Sequence, residues 1–250
     1  MIPRLLFSSL NEKNNTLDKK QTHYLKNVLR LKTGDVFILF DGKGLEALAN
    51  LIVDENGNLT FVIKNLINID REAAISITVA QALCLSNKMD FVIQKSTELG
   101  VAVIQPIYTS RCLVKLNTNK VNEKIARWQR IANAASAQCG RNIQPRVLNP
   151  LDWRDFVNNA NKNNLNSFKW LLDPFSNNSI SDAKLDLDKD LIVAIGPEAG
   201  FSDEEEKVAS LNNFHRIRCG KRILRTETAS VVALSIINNK LEEIQHIKNY

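Results

Sequence analysis

A chain of 250 residues with 44% hydrophobic and 24% charged residues can bury one large core or two modest ones, which excludes a disordered chain. Lys and Arg outnumber the acids 33 to 27, a formal charge of +6 that suits an anionic partner such as nucleic acid and equally suits plain solubility. Four dispersed cysteines and three dispersed histidines give no ligand spacing for a metal. With no leader pattern and no apolar run of bilayer length, a cytoplasmic protein with free thiols is expected.

In chain order, Thr22 to Leu29 is predicted as a short helix with Leu25, Val28 and Leu29 on one face. Val36 to Phe40 is a compact apolar strand that runs into the turn pair Asp41-Gly42. Leu45, Ala47, Ala49 and Leu51 alternate with other residues, Asn56-Gly57 marks a second hairpin, and Leu59, Phe61 and Ile63 alternate again. Short strands at this spacing predict a small barrel. The rhythm changes after Asp70-Arg71-Glu72, so a domain boundary is placed near residues 70–73, with domains of 1–71 and 72–250.

Ile75 to Leu85 is rich in β formers. Met89 to Leu99 has helical spacing, with Asn87 as a candidate N-cap and Gly100 at the C-cap position. Val101 to Ile107 reads as a strand, and Val121 to Cys139 as a helix with Ile125, Trp128, Ala132 and Ala135 on one stripe. The Asn-rich stretch from Asn158 to Ser167 is predicted as a surface loop. Strands follow at Phe168–Leu172, Leu191–Ile195 and Phe214–Cys219. Ser202-Asp203-Glu204-Glu205 is a capping box, and a last apolar-striped helix begins near Thr226 or Glu227. Strands alternating with helices predict an α/β domain with a mainly parallel sheet.

Three segments can carry chemistry. In Leu191 to Phe201 a buried strand ends in Gly196-Pro197-Glu198-Ala199-Gly200, where two glycines let a ligand or another backbone come close. A tight strand-to-helix turn is the equally good structural explanation. Neither a G-x-G-x-x-G fingerprint nor a phosphate loop is present, which speaks against a Rossmann dehydrogenase and a P-loop enzyme. In Arg218 to Ala229 a strand ends at Gly220 and a helix N-terminus follows, flanked by Arg225 and Glu227. Capping by Thr226 or Thr228 and a surface pair of Arg225 with Glu227 is the bland account. The third segment, Lys88 to Gly100 leading on to Arg111-Cys112, reads as an amphipathic helix with Lys95 and Glu98 solvated. Cys219, inside the second segment, is expected to pack and not to react.

Taken together, VLRLKTGDVFILFDGKG at Val28–Gly44, KMDFVIQKSTELGV at Lys88–Val101, RWQRIANAASAQCGRN at Arg127–Asn142, IGPEAGFS at Ile195–Ser202 and GKRILRTETA at Gly220–Ala229 resemble the RsmE family of ribosomal RNA uridine N3-methyltransferases, of the SPOUT class. The resemblance runs over nearly the whole chain, and its last two segments are the most specific. It implies a PUA-like β-barrel that helps grip RNA, and a SPOUT-type domain with a C-terminal trefoil knot. It also implies a homodimer that takes S-adenosyl-L-methionine and methylates small-subunit (16S) ribosomal RNA, with no metal and no membrane.

Carried over by motif, the cofactor residues are Leu172, Asp173, Pro174, Gly196, Pro197, Glu198, Gly200, Cys219, Gly220, Ile223, Leu224, Thr228 and Ala229. Uracil N3 holds a proton at neutral pH, so a charge-stabilising group and a proton acceptor are needed. Arg225 is the candidate for the first role, and Glu198 or Glu227 for the second. Arg4, Arg30, Lys32, Arg111, Arg141 and Arg146 are candidate RNA contacts. The sequence departs from the family at Ala199 (usually Gly), Ala137 (usually Glu) and Lys221 (commonly Pro). Ala199 is tolerable unless that position needs a positive φ. Two rivals stand beside this reading: a non-catalytic RNA-binding assembly factor, and a SPOUT enzyme acting on another RNA.

Overall fold

The computed structural model describes residues 2–8, 10, 16–114, 116, 120–163 and 166–248. The chain forms two compact units, Met1–Glu72 with Ser136–Gln144, and Ala73–Ala135 with Pro145–Tyr250. Segment 136–144, which no sequence signal separated from the second unit, belongs to the first.

In the first unit, β1 (Arg4–Leu6), β2 (Val36–Phe40), β3 (Leu45–Val53) and β4 (Leu59–Asn68) pair in that order. The β1–β2 pair is parallel and the others antiparallel. Period-two alternation drives Ala47, Ala49, Leu51 and Phe61 inward, where Phe61 meets Phe7 and Phe37 edge to face at 5.0 and 6.2 Å. Both hairpin turns are held by an aspartate. Asp41 Oδ1 accepts from the N–H groups of Lys43 and Leu45, and Asp54 Oδ1 from those of Asn56 and Asn58.

The predicted helix at Thr22–Leu29 differs in form. α1 (Lys19–His23) starts in a capping box of Asp18 and Gln21, then widens into a π-helical turn over Tyr24–Val28. Leu29 N–H bonds to the Tyr24 carbonyl, five residues back, at 2.9 Å. That wider turn breaks the 3.6-residue phase, so Leu25 is buried while Val28 is exposed.

The second unit carries a seven-stranded sheet among the described residues: β5 (Ile77–Ala82), β6 (Val103–Tyr108), β7 (Arg146–Val147), β8 (Leu151–Asp152), β9 (Ser167–Leu172), β10 (Asp190–Ile195) and β11 (His215–Ile217). Its order is β11-β9-β10-β5-β6-β7, with β8 also on β6, and every pairing is parallel. The helices are α2 (Ser86–Glu98), α3 (Val121–Cys139), α4 (Trp153–Asn163), α5 (Asp203–Leu211) and α6 (Thr226–Lys248). No described helix is long and apolar enough to cross a membrane.

Both faces of this sheet are covered, which explains why its central strands read as unbroken apolar runs. Ile77, Val79, Leu191 and Val193 pack with Met89 and Ile93 of α2, Trp128 and Ala132 of α3, and Ala233 and Ile237 of α6. On the opposite face Ala80, Ala82, Ile192 and Ala194 pack with Trp153, Phe156 and Val157 of α4, and with Phe201 and Phe214. Phe214 thus packs below the sheet, and the strand predicted from 214 to 219 is only His215–Ile217.

Two further expectations need correction. The Asn-rich stretch is mostly helix, because Trp153, Phe156, Val157 and Ala160 form a buried stripe that overrides the poor helix propensity of the asparagines around it. Residues 164–165 of that stretch lie outside the described residues. Asn87 is not a cap; α2 starts at Ser86, and its flanking residue Leu85 makes no side-chain cap bond.

Candidate active site

β9, β10 and β11 lie together in the sheet, and the loops leaving their carboxyl ends enclose a cavity of about 270 Å³. Its lining is Leu172–Pro174, Ile195–Glu198, Gly200, Cys219, Arg222–Thr226 and Ala229. Ligands of open α/β sheets sit at this end of the strands.

The turn after β10 is fixed from both sides. Gly200 takes a φ of +71°, and its N–H bonds to the Pro197 carbonyl at 2.9 Å. A left-handed conformation suits a residue without a Cβ, so Gly200 is the position that requires glycine. Ala199 is not among the described residues with positive φ, so the alanine at this departure from the family pattern sits without strain. Thr226, at the start of α6, donates its hydroxyl to the Gly196 carbonyl at 2.7 Å and accepts from Gln81 Nε2 of β5 at 2.9 Å. One buried hydroxyl thereby joins three elements below the cavity.

Gly196 serves packing. A Cβ there would lie 3.1 Å from the Phe201 ring, which itself stacks against Trp153 at 4.6 Å. Gly196→Ala is expected to cost about 1–3 kcal/mol through overpacking. A thermal melt at wild-type stability would refute this.

The electrostatic centre is a residue that sequence reasoning passed over as part of a helix. Lys88 Nζ lies 2.8 Å from Glu198 Oε1 and 3.5 Å from Glu227 Oε2. Burial pushes the Glu198 carboxyl up, but the Lys88 hydrogen bond and charge outweigh it and hold the group below its ordinary range. The same bond pushes the Lys88 ammonium up. Glu227 Oε2 is buried with no hydrogen-bond partner among the described residues, and it pairs with Lys88. Burial pushes the Cys219 thiol up to about 11, consistent with packing and not with reactivity. Among the described residues no group of three or more His, Cys, Asp or Glu could hold a metal ion.

Of the residues expected here, Leu172, Asp173, Pro174, Gly196, Pro197, Glu198, Gly200, Cys219, Ile223, Leu224, Ala229 and Arg225 line the cavity. Gly220, Thr228 and Glu227 lie in the same loops but not in its lining, and Ile195, Arg222 and Thr226 join it. Arg225 is exposed, and its guanidinium has no hydrogen-bond or ion-pair partner among the described residues. The surface pair of Arg225 with Glu227, the bland account of this segment, does not form; Glu227 turns to Lys88. Asp173 is committed elsewhere, bonded to the Phe175 N–H at 2.9 Å and paired with Arg216 at 2.6 Å.

Three candidate RNA contacts are spent within the protein. Arg4 pairs with buried Glu46 at 2.8 Å, and Arg141 pairs with Glu72. Arg111 donates to the carbonyls of Ala199 and Phe201 at 3.3 and 2.8 Å, which braces the cavity turn. Arg30, Lys32 and Arg146 are exposed. Lys95 and Glu98 pair with each other at 2.8 Å. Ala137 lies outside the cavity lining.

The lining suits a cofactor with a flat apolar part and a charged end. Leu172, Ile195, Leu224 and Ala229 give an apolar wall, and Ile223 stays 73% exposed at the mouth, an apolar side chain that a ligand would cover. At about 270 Å³ the cavity falls just under the usual range of about 300–1,000 Å³ for small-ligand sites, so such a ligand would stay open to solvent on one side.

Comparison with known proteins agrees with this geometry. Residues 71–238 match the RNA methyltransferase domain family, and residues 17–64 match the RNA methyltransferase PUA domain family. A ribosomal RNA small subunit methyltransferase E from Synechocystis is 35% identical over 230 residues, covering 91% of this chain and 73% of that protein. A structure of the enzyme of that name from Neisseria gonorrhoeae, bound to S-adenosyl methionine, superposes with a TM-score of 0.84 at 31% identity, over 96% of this chain and 98% of that one. A chain from Legionella pneumophila, solved with the cofactor SAM, gives 0.86 at 32% identity, over 96% and 98%. With a match across two thirds of its length to the one domain family and across most of its length to these relatives, the chain belongs to the ribosomal RNA small subunit methyltransferase E (RsmE) family.

Proposed function

We propose that this protein methylates N3 of one uridine in 16S ribosomal RNA, using S-adenosyl-L-methionine held in the cavity beyond β9, β10 and β11. The observation that carries the reading is the Arg225 guanidinium, without a partner among the described residues, on the lining of a largely apolar cavity of about 270 Å³. Bound there, the cofactor supplies a methyl group already made electrophilic by its sulfonium. The chain's own residues then have three tasks.

Glu198, kept ionised by Lys88, gives the cavity a negative charge that complements the cationic donor. Arg225 stabilises the negative charge that develops on uracil O2 or O4. The N3 proton goes to Glu198 on the lining or to Glu227 in the neighbouring loop, both of which pair with Lys88. As N3 gains the methyl group, the bond from methyl to sulfur breaks and the N3 proton ends on that carboxylate. A base must leave its stack to reach such a site.

In this reading residues 1–71 act as a PUA-like barrel that grips RNA, and residues 72–250 as a SPOUT-type domain with a C-terminal trefoil knot, working as a cytoplasmic homodimer. Arg30, Lys32 and Arg146 remain its proposed phosphate contacts.

The test is mass mapping of small-subunit particles after incubation with the protein and isotopically labelled cofactor. One uridine should gain a methyl group on N3. Label on another atom, or on no nucleotide, refutes the proposal. Cofactor at a hundred times its Kd should also add about 2.7 kcal/mol to unfolding. An RNA-binding assembly factor without catalytic function would show no cofactor heat in calorimetry.

A further inference from the structure

Beyond the carboxyl end of β5 a second cavity of about 220 Å³ opens, walled by Leu83, Cys84, Val114 and Trp128 and edged by Lys120 and Lys124. Trp128 is only 2% exposed, and its indole N–H has no hydrogen-bond partner among the described residues. A buried donor left unpaired is destabilising, and an indole can only donate. One unmet donor therefore lies buried just behind the apolar wall, and two lysine side chains edge the cavity.

Its position ties it to the proposed chemistry. β5 pairs directly with β10, whose loop lines the cofactor cavity, so the two openings lie beyond neighbouring strands about 5 Å apart. Lys124 Nζ is 3.3 Å from Ser86 Oγ, and Ser86 precedes Lys88 by two residues in the first turn of α2. Cys84, on the cavity wall, feels the charges of Glu198, Glu227 and Lys88.

We infer that this cavity receives the target pyrimidine base, with Trp128 Nε1–H donating to a ring carbonyl and Lys120 and Lys124 holding the adjoining phosphate. Apolar walls suit the faces of a nucleobase, the lone donor needs a carbonyl such as uracil O2 or O4, and the lysines suit a phosphodiester. The inference rests on the function proposed above, and it locates the base that this function requires.

Titration of the full chain with uridine 5′-monophosphate, followed through the indole N–H resonances of its three tryptophans, tests it. The resonance missing in Trp128→Phe should shift on addition of the nucleotide and shift far less with adenosine 5′-monophosphate. Lys124→Ala should weaken the uridine nucleotide about threefold to tenfold, the share of one phosphate contact. In the methylation assay Trp128→Phe should lower kcat/KM for particles about tenfold, the size of one lost hydrogen bond, with cofactor affinity unchanged. A Trp128 resonance unmoved by the uridine nucleotide, or moved equally by the adenosine one, overturns the inference, as does wild-type nucleotide affinity in Lys124→Ala. If Trp128→Phe fails to fold, the uridine-nucleotide affinity of Lys124→Ala against that of the wild type decides the matter. If wild-type protein methylates no uridine, the proposed function fails, while the titration still reads the cavity.

Discussion

Arg225→Ala should lower turnover about a hundredfold to a thousandfold and leave cofactor affinity nearly intact. The expected size is that of removing one preorganised donor from a developing negative charge, about 2.7–4 kcal/mol. Arg225 has no protein partner among the described residues, so its loss strands no buried charge and should not unfold the chain. Single-turnover kinetics with calorimetry separates the two effects. Equal loss of turnover and of cofactor affinity would make Arg225 a binding residue only. Arg225→Lys should recover part of the rate, since the charge survives while the planar fork is lost.

Glu46→Ala should cost the first unit about 3–5 kcal/mol. Glu46 is 2% exposed within β3, where Arg4 reaches it at 2.8 Å and Arg71 at 3.0 Å. Arg4 is itself almost fully buried, stacks over the Phe40 ring at 5.0 Å and bonds to Asn142 Oδ1 at 2.6 Å. Removing the carboxylate leaves that guanidinium buried beside Arg71 with no counter-charge. The pH dependence has a definite sign. Burial pushes the Glu46 carboxyl up, but hydrogen bonds and charges from Arg71 and Arg4 bring it below its ordinary 4.5. Its contribution is therefore fully present above pH 4.5 and fades as the pH falls through the lower folded value. Urea unfolding at neutral and acid pH checks both points. A wild-type midpoint in Glu46→Ala, or an acid loss of the same size in both proteins, would contradict this account.

Much of the fold was legible because local chemistry and burial agree. α3 was read at both ends, Val121 and Cys139, since Trp128, Ala132 and Ala135 repeat at helical spacing. The Ser202 capping box was read from four letters, and both its reciprocal hydrogen bonds form. The misses arise where partners lie far apart in sequence. Lys88 looks like an ordinary helix residue, because the carboxylate that gives it meaning is 110 positions away. Arg4 and Arg141 looked like surface cations for the same reason, their partners Glu46 and Glu72 being 42 and 69 positions distant. α4 was hidden because asparagines dominate its composition while four buried residues decide its conformation. In the cavity, motif resemblance found the loops, but no spacing rule distinguishes Gly200, which needs its backbone freedom, from Gly196, which makes room for Phe201.

Segment Ser136–Gln144 belongs to the first unit, with Asn142 Nδ2 bonded to the Ile69 carbonyl at 3.1 Å and the Gln144 N–H to the Gly42 carbonyl at 3.1 Å. A nascent chain therefore cannot complete its amino-terminal unit when residue 72 leaves the ribosome; more than seventy further residues must emerge first. A fragment cut at the apparent boundary would lack one of its own walls, so any attempt to isolate this unit for RNA-binding work has to carry the later segment along, spliced in or supplied in trans.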